Sequence, residues 1–183
     1  SGLSKTFGRR PALMGLDLQV NWGETVVVLG PNGSGKTTLI KALATLVRPD
    51  AGSIQVAGLD AKKMGQSVRR NIGVITHDPL LYDDLTGYEN LKFHARMFGL
   101  DNINGKIEKA AEGMGLSARL TQRVGTMSHG MRKRFSIARA LLHEPAVLLM
   151  DEPESGLDQE AVAMLDQVVR DHSASGGATV MTT

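Results

Sequence analysis

Residues Gly30-Pro31-Asn32-Gly33-Ser34-Gly35-Lys36-Thr37-Thr38 combine glycines, one lysine and hydroxyls at the spacing of a phosphate-binding loop. Gly33 and Gly35 let the backbone turn where other residues resist, so that consecutive amide N–H groups can converge on an anion. Lys36 adds a mobile ammonium, Thr37 adds a hydroxyl suited to Mg²⁺, and a helix beginning beneath the loop would add the positive end of its dipole. Far along the chain, Asp151 and Glu152 close an apolar run. Asp151 fits the carboxylate that holds Mg²⁺ opposite Thr37, and Glu152 is placed to polarise an attacking water as general base. The chemistry these residues offer together is transfer of a nucleotide's terminal phosphoryl group to water. The plainer alternatives are a glycine-rich turn and a capped strand end.

Elements must deliver these groups to one place. The apolar run 25–29 predicts a buried strand directly before the loop, and Leu39, Leu43 and Leu46 predict a helix over 36–46, stopped by the Pro- and Gly-containing stretch 48–52. Upstream, Leu16, Leu18 and Val20 alternate with polar residues as in a half-buried strand, which predicts a short strand pair with Phe7 in the loop before it. Phe7 reads either as core or as a face on which adenine stacks. Residues 53–57 predict a strand, 64–70 a helix, and 72–76 a strand ending in His77-Asp78-Pro79, where open α/β sheets place their ligands.

From there the pattern turns helical. Thr86 to Glu89 has capping-box form, with Leu91, Ala95 and Phe98 on one face and Gly99 at the end. Ile107, Ala110, Ala111 and Met114 predict a second helix, and 128–142 a third with Phe135, Ala138, Leu141 and Leu142 as its stripe. Three helices without an intervening strand predict a lobe, 79–143, inserted into an α/β core of 1–78 and 144–183 within a single domain of 183 residues. The run 146–150 suits a strand buried on both faces. A helix over 159–170, a loop over 173–177 and a last strand over 178–182 complete the expected order.

Composition excludes several classes. The 183 residues contain no Cys, which removes disulfides and thiolate metal sites and agrees with a reducing compartment. A net charge of +2 gives no global basic field, and no nucleic-acid partner is expected. The basic groups Arg69-Arg70 and Arg132-Lys133-Arg134 read as solvated helix faces. No apolar stretch approaches the roughly 18 residues of a membrane span, so a membrane role would come through a partner.

Gly30 to Thr38, Ser128-His129-Gly130, Leu148 to Pro153 and Ser155-Gly156-Leu157-Asp158, in this order and spacing, resemble the ATP-binding subunit of an ABC transporter across nearly the whole chain. The resemblance implies a RecA-like P-loop NTPase core with an antiparallel β region on its N-terminal side and an inserted helical subdomain. It implies ATP and Mg²⁺, and a head-to-tail homodimer or pairing with another ABC subunit. Ser128 and Gly130 would then meet the γ-phosphate bound by the opposite subunit, Asp158 would link the two sites, and Phe7 would stack on adenine. Ser128 is also a good helix cap, a role compatible with the first. The implied setting is the cytoplasmic face of the membrane, beside an integral permease docked near 78–86 and the helical lobe.

The departures from that family's pattern matter. His129 stands where glycine is usual, Met131 where glutamine is usual, and His77 where glutamine ends the strand feeding the lobe. His77 can still donate to phosphate or hold a water, which makes it a candidate catalytic residue. The family's first strand and its switch histidine would lie outside 1–183, so ATP binding with weak or no turnover is the expectation for this piece. The histidine at 77 and the segment after Ser128 are most similar to ATP-binding proteins of haem export and cytochrome c maturation. A non-transport ABC-type ATPase acting on DNA or ribosomes, and an isolated nucleotide-binding module, are the alternatives.

Overall fold

The computed structural model describes residues 1–183. The chain opens with an antiparallel hairpin, β1 (Leu3–Phe7) and β2 (Arg10–Leu16), followed by β3 (Thr25–Val28) and helix α1 (Lys36–Leu43). A second small hairpin, β4 (Gln55–Val56) and β5 (Leu59–Asp60), precedes α2 (Gly65–Arg70) and β6 (Ile72–Ile75). Then come α3 (Gly87–Phe98), α4 (Ile103–Glu112) and α5 (His129–Leu141) before β7 (Val147–Asp151), α6 (Gln159–Ala174) and β8 (Ala178–Thr182).

The central sheet runs β3-β8-β7-β6 and is parallel throughout. Parallel strands end on the same edge, so the residues after Val28, Ile75, Asp151 and Thr182 gather there although they are scattered in sequence. Register is specific at that edge: Val28 pairs with Thr182, and Thr182 with Asp151. β7 lies between two cores. Leu148 and Met150 join one cluster with Ile75, Phe135 and Leu165, while Leu149 joins the other with Leu39, Ile40 and Val180. The first cluster extends into Leu91, Ile107 and Met114, so the three helices share a core with the sheet.

Several local expectations shift. The strand after the first turn is not buried: β3 is an edge strand, with Val27 47% and Leu29 74% exposed. Leu16, Leu18 and Val20 are half-buried as their alternation demands, yet only Leu16 lies in a strand. Phe7 ends β1 and is not in a loop. Helix α1 stops at Leu43 because Thr45 turns left-handed (φ 61°), which leaves Leu46 exposed. The strand expected over 53–57 contracts to Gln55–Val56, and α6 runs a turn further than expected, to Ala174. The capping box of α3 is present, with Thr86 accepting from the Glu89 N–H at 3.2 Å and Glu89 Oε2 accepting from the Thr86 N–H at 2.8 Å.

Candidate functional site

The loop between β3 and α1 draws its shape from its glycines. Gly33 and Gly35 take φ of 84° and 96°, conformations that a side chain makes costly. Gly35 also lies directly under the Ala12 carbonyl of β2, where a Cβ would collide with backbone. Gly30 faces Ser34: a Cβ there would lie 2.7 Å from the Ser34 hydroxyl. The Ser34 N–H donates to Pro31 O at 3.2 Å, and buried Lys36 folds back so that Nζ donates to the carbonyls of Gly30 and Pro31. A cavity of about 520 Å³ opens here, walled by Phe7, Arg10, Pro11 and Ala12 of the hairpin, by Asn32, Gly33, Gly35, Lys36, Thr37 and Thr38, and by Glu152. Phe7 is half-exposed at its mouth, with Lys5 Nζ 5.5 Å from the ring centre. Two other cavities of similar size, about 530 and 540 Å³, lie away from this edge. Volume therefore does not choose the site; the glycine loop with its buried ammonium does.

Asp151 ends β7 only 4% exposed, and its Oδ1 accepts from the Thr182 hydroxyl at 2.8 Å. Glu152 leaves the strand in a left-handed conformation (φ 45°) immediately before Pro153, a combination worth about 1–3 kcal/mol of strain that the surroundings must hold. Its N–H donates to Thr182 Oγ1 at 3.1 Å, and its carbonyl accepts from Lys133 Nζ at 3.5 Å. Lys133 is 3% exposed and also donates to Thr76 O at 3.2 Å. Burial pushes its pKa down, and the neighbouring charges of Asp151 and Glu152 oppose that shift. The solvated face expected for 132–134 is thus wrong at its centre: Lys133 points inward to the sheet edge.

The remaining candidates lie off the cavity wall. Ser128 caps α5, its hydroxyl accepting from the Met131 N–H at 3.2 Å, and Gly130 begins the same helix. The His129 ring packs on Gly156 and stands 6.5 Å from the His77 ring, so two of the three departures from the family pattern are neighbours. Asp158 caps α6 through the Ala161 N–H at 2.9 Å, and both its oxygens accept from Arg134 of α5 at 2.8 and 3.0 Å. The Ala161 hydrogen bond first, then Arg134, holds its carboxyl below the usual range.

A donor set of this kind fits nucleotide and Mg²⁺: a buried ammonium satisfied only by loop carbonyls, Thr37 on the cavity wall, and a buried carboxylate at the end of β7 on the same sheet edge. A family model for ABC transporter matches residues 13–155. The chain is an ABC transporter ATP-binding domain.

Curated relatives of this ABC domain include daunorubicin resistance ATP-binding protein DrrA3 of Streptomyces coeruleorubidus, 40% identical over 100% of this chain and 58% of its own length. ABC transporter ATP-binding protein NatA of Bacillus subtilis is 41% identical over 80% of this chain and 61% of its own. Nod factor export ATP-binding protein I of Ralstonia nicotianae is 38% identical over 100% and 57%. The ABC domain thus spans less than two thirds of these relatives. Among solved structures, an ATP-binding subunit of an ABC transporter superposes with a TM-score of 0.91 at 30% identity, covering 100% of this chain and 77% of that one. A dimeric bacterial ABC transporter cassette shares the fold at a TM-score of 0.91 and 24% identity, covering 100% and 85%.

Four polar groups of the ABC domain stand outside the candidates read from sequence: Thr182, Lys133, Arg139 and His94. Arg139 is buried against the segment after β6, donating to Pro79 O at 3.4 Å; burial lowers its pKa to about 10, opposed by Asp78. His94 on α3 is pushed down to about 4 by burial and then by the Arg139 charge. Runs such as Arg-Lys-Arg carry no mark of which member turns inward, and a threonine at a strand end is an ordinary strand residue.

Proposed function

We propose that this chain is the ATP-binding and hydrolysing part of an ABC exporter, working as a head-to-tail pair beside a separate membrane permease. The observation that carries the reading is the meeting of the glycine loop, buried Lys36, Thr37 and Glu152 around one cavity, with buried Asp151 preceding Glu152 at the end of β7. Phosphates entering the cavity would meet the amides of 33–38 and draw the Lys36 ammonium from the Gly30 and Pro31 carbonyls. Thr37 and Asp151 would hold Mg²⁺, which screens the phosphate oxygens when bound. Glu152 would take the proton of the attacking water as oxygen bonds to the γ-phosphorus and ADP departs with the bridging oxygen. Phe7, on the cavity wall, would stack on the base, and His77, after the end of β6, would serve as a phosphate or water contact.

Ser128 and Gly130 lie off this wall, which agrees with their serving the nucleotide of an opposite subunit through the N-terminus of α5. Asp158, tied to Arg134 of α5, would then link the position of that helix to the site. An exposed apolar strip of Leu80, Tyr82, Phe93 and Met97, with the Tyr82 and Phe93 rings edge-to-face at 5.3 Å, supports permease docking near 78–86 and the lobe spanning 79–143. No helix is long and apolar enough to cross a membrane; the place proposed for the chain is the membrane's inner face, beside the permease.

Drug-resistance and Nod-factor export names among the relatives support export over action on nucleic acid. They give no support to haem export, and His77 with Met131 does not identify a cargo. The test is a mantADP titration with Mg²⁺, unaltered chain against Lys36→Ala. A fall in affinity of about tenfold or more is expected, the equivalent of one charge-assisted hydrogen bond; equal affinities would sink the phosphate-loop assignment.

A further inference from the structure

We propose that Lys133 and Thr182 are positioning residues that grip Glu152 from its two sides, and that through Lys133 the aim of the Glu152 carboxylate depends on where α5 sits. This rests on the ATPase reading above.

Glu152 combines a positive φ with a following proline, so its backbone does not adopt this conformation by preference. Something outside the residue must hold it, and both of its backbone polar groups are held. An N–H can only donate, so Thr182 Oγ1 accepts from Glu152 and its single proton goes to Asp151 Oδ1. One hydroxyl thus ties the Asp151 carboxylate to the backbone of Glu152. Fully buried Thr182 can do this because it is the register partner of Asp151, which places both side chains on one face of the sheet.

The other side is held from a different element. Lys133 enters from α5, the helix that Ser128 caps, and its ammonium bridges the carbonyls of Thr76 after β6 and Glu152 after β7. A buried cation needs such partners, and the two carboxylates nearby supply the countercharge. The bond to Glu152, at 3.5 Å, is longer than the one to Thr76, at 3.2 Å. A displacement of α5 would be carried by Lys133 to both strand ends. Ser128 and Gly130 sit at the start of the same helix, so whatever seats that end also tightens or slackens the grip on the Glu152 backbone that carries the carboxylate.

The test uses the 183-residue chain with Lys133→Met, which keeps length and loses the donors, and Thr182→Val, which keeps shape and loses the hydroxyl. Three quantities are read: kcat and KM for ATP, mantADP affinity with Mg²⁺, and amide hydrogen exchange over 150–156 without nucleotide. Each variant is expected to lower kcat by about tenfold or more while KM and mantADP affinity stay within about threefold, the pattern of a disturbed supporting shell. Exchange over 150–156 rises in both. Thr182→Ser recovers most of what Thr182→Val loses, and the double variant is no slower than the worse single one, because both act on one conformation. Unchanged kcat, or kcat and nucleotide affinity falling together, overturns the proposal. If the unaltered chain neither turns over ATP nor binds mantADP, the ATPase reading is what fails; if it binds without turnover, exchange decides the grip, and unchanged exchange in both variants overturns it. Where Lys133→Met does not fold, Lys133→Gln takes its place.

Discussion

Two glycines of the phosphate loop share a left-handed backbone but differ in what surrounds them, and that difference gives a sharp test of how the loop is held. Gly33 and Gly35 both have positive φ, 84° and 96°. A Cβ at Gly33 meets nothing, whereas one at Gly35 runs into the Ala12 carbonyl and lies 3.4 Å from the Leu13 side chain. Left-handed backbone costs an alanine about 1–2 kcal/mol at either position, and alanine's smaller unfolded-state entropy offsets about 0.4–1 kcal/mol of that in both. These shared effects cancel in the comparison. What remains is the collision at Gly35, about 1–3 kcal/mol for overpacking against backbone that must retreat. Urea denaturation should therefore find Gly35→Ala less stable than Gly33→Ala by about that amount. The retreat also separates the hairpin from the loop, the two walls of the cavity, so mantADP affinity should fall more steeply in Gly35→Ala, by about tenfold or more for each 1.4 kcal/mol not recovered on binding. Equal destabilisation by the two substitutions would refute the claim that β2 seats the loop.

Two further outcomes follow from the helical region. His94 is neutral in the folded chain because its pKa is pushed from 6.5 to about 4, by burial first and then by Arg139, opposed by the Leu80 carbonyl, which accepts from the protonated ring. A proton therefore binds the unfolded chain more readily, and stability is lost as pH falls from about 6.5 towards 4; His143, lowered in the same direction by burial, adds to the effect. After discounting for partial exposure, the loss between pH 7.5 and 5 should be about 1–2 kcal/mol smaller in His94→Gln, read by urea denaturation at the two pH values; parallel losses would contradict the shift. At the start of α3, a Cβ on Gly87 would enter the Phe135 ring, with 2.5 Å to Cε1. Gly87→Ala should cost about 1–3 kcal/mol by thermal or urea unfolding, and no loss would mean that α3 does not pack on α5 at this point.

Local patterns were legible where a short segment decides its own state. The glycine spacing, the apolar run that becomes β7, the capping box of α3 and the cap of α5 all depend on residues a few positions apart. The order of strands and helices followed from these, and so did the gathering of Gly30 to Thr38, His77 and Asp151-Glu152 at one edge, since parallel strands share an end.

What the sequence by itself determined is the chemistry on offer and the ABC family to which this domain belongs. The tertiary structure alone decided that β3 is an edge strand, that Lys133 leaves an apparently solvated basic run to lie beneath the carboxylates, and that His77 meets His129. The physical reason is range. Lys133 is satisfied by carbonyls 57 and 19 residues away, and Glu152 keeps its strained backbone through a hydroxyl 30 residues further on. Periodicity and propensity report a residue's neighbours in the chain; a buried charge and a strained carboxylate are held by neighbours that only strand register and helix packing bring near.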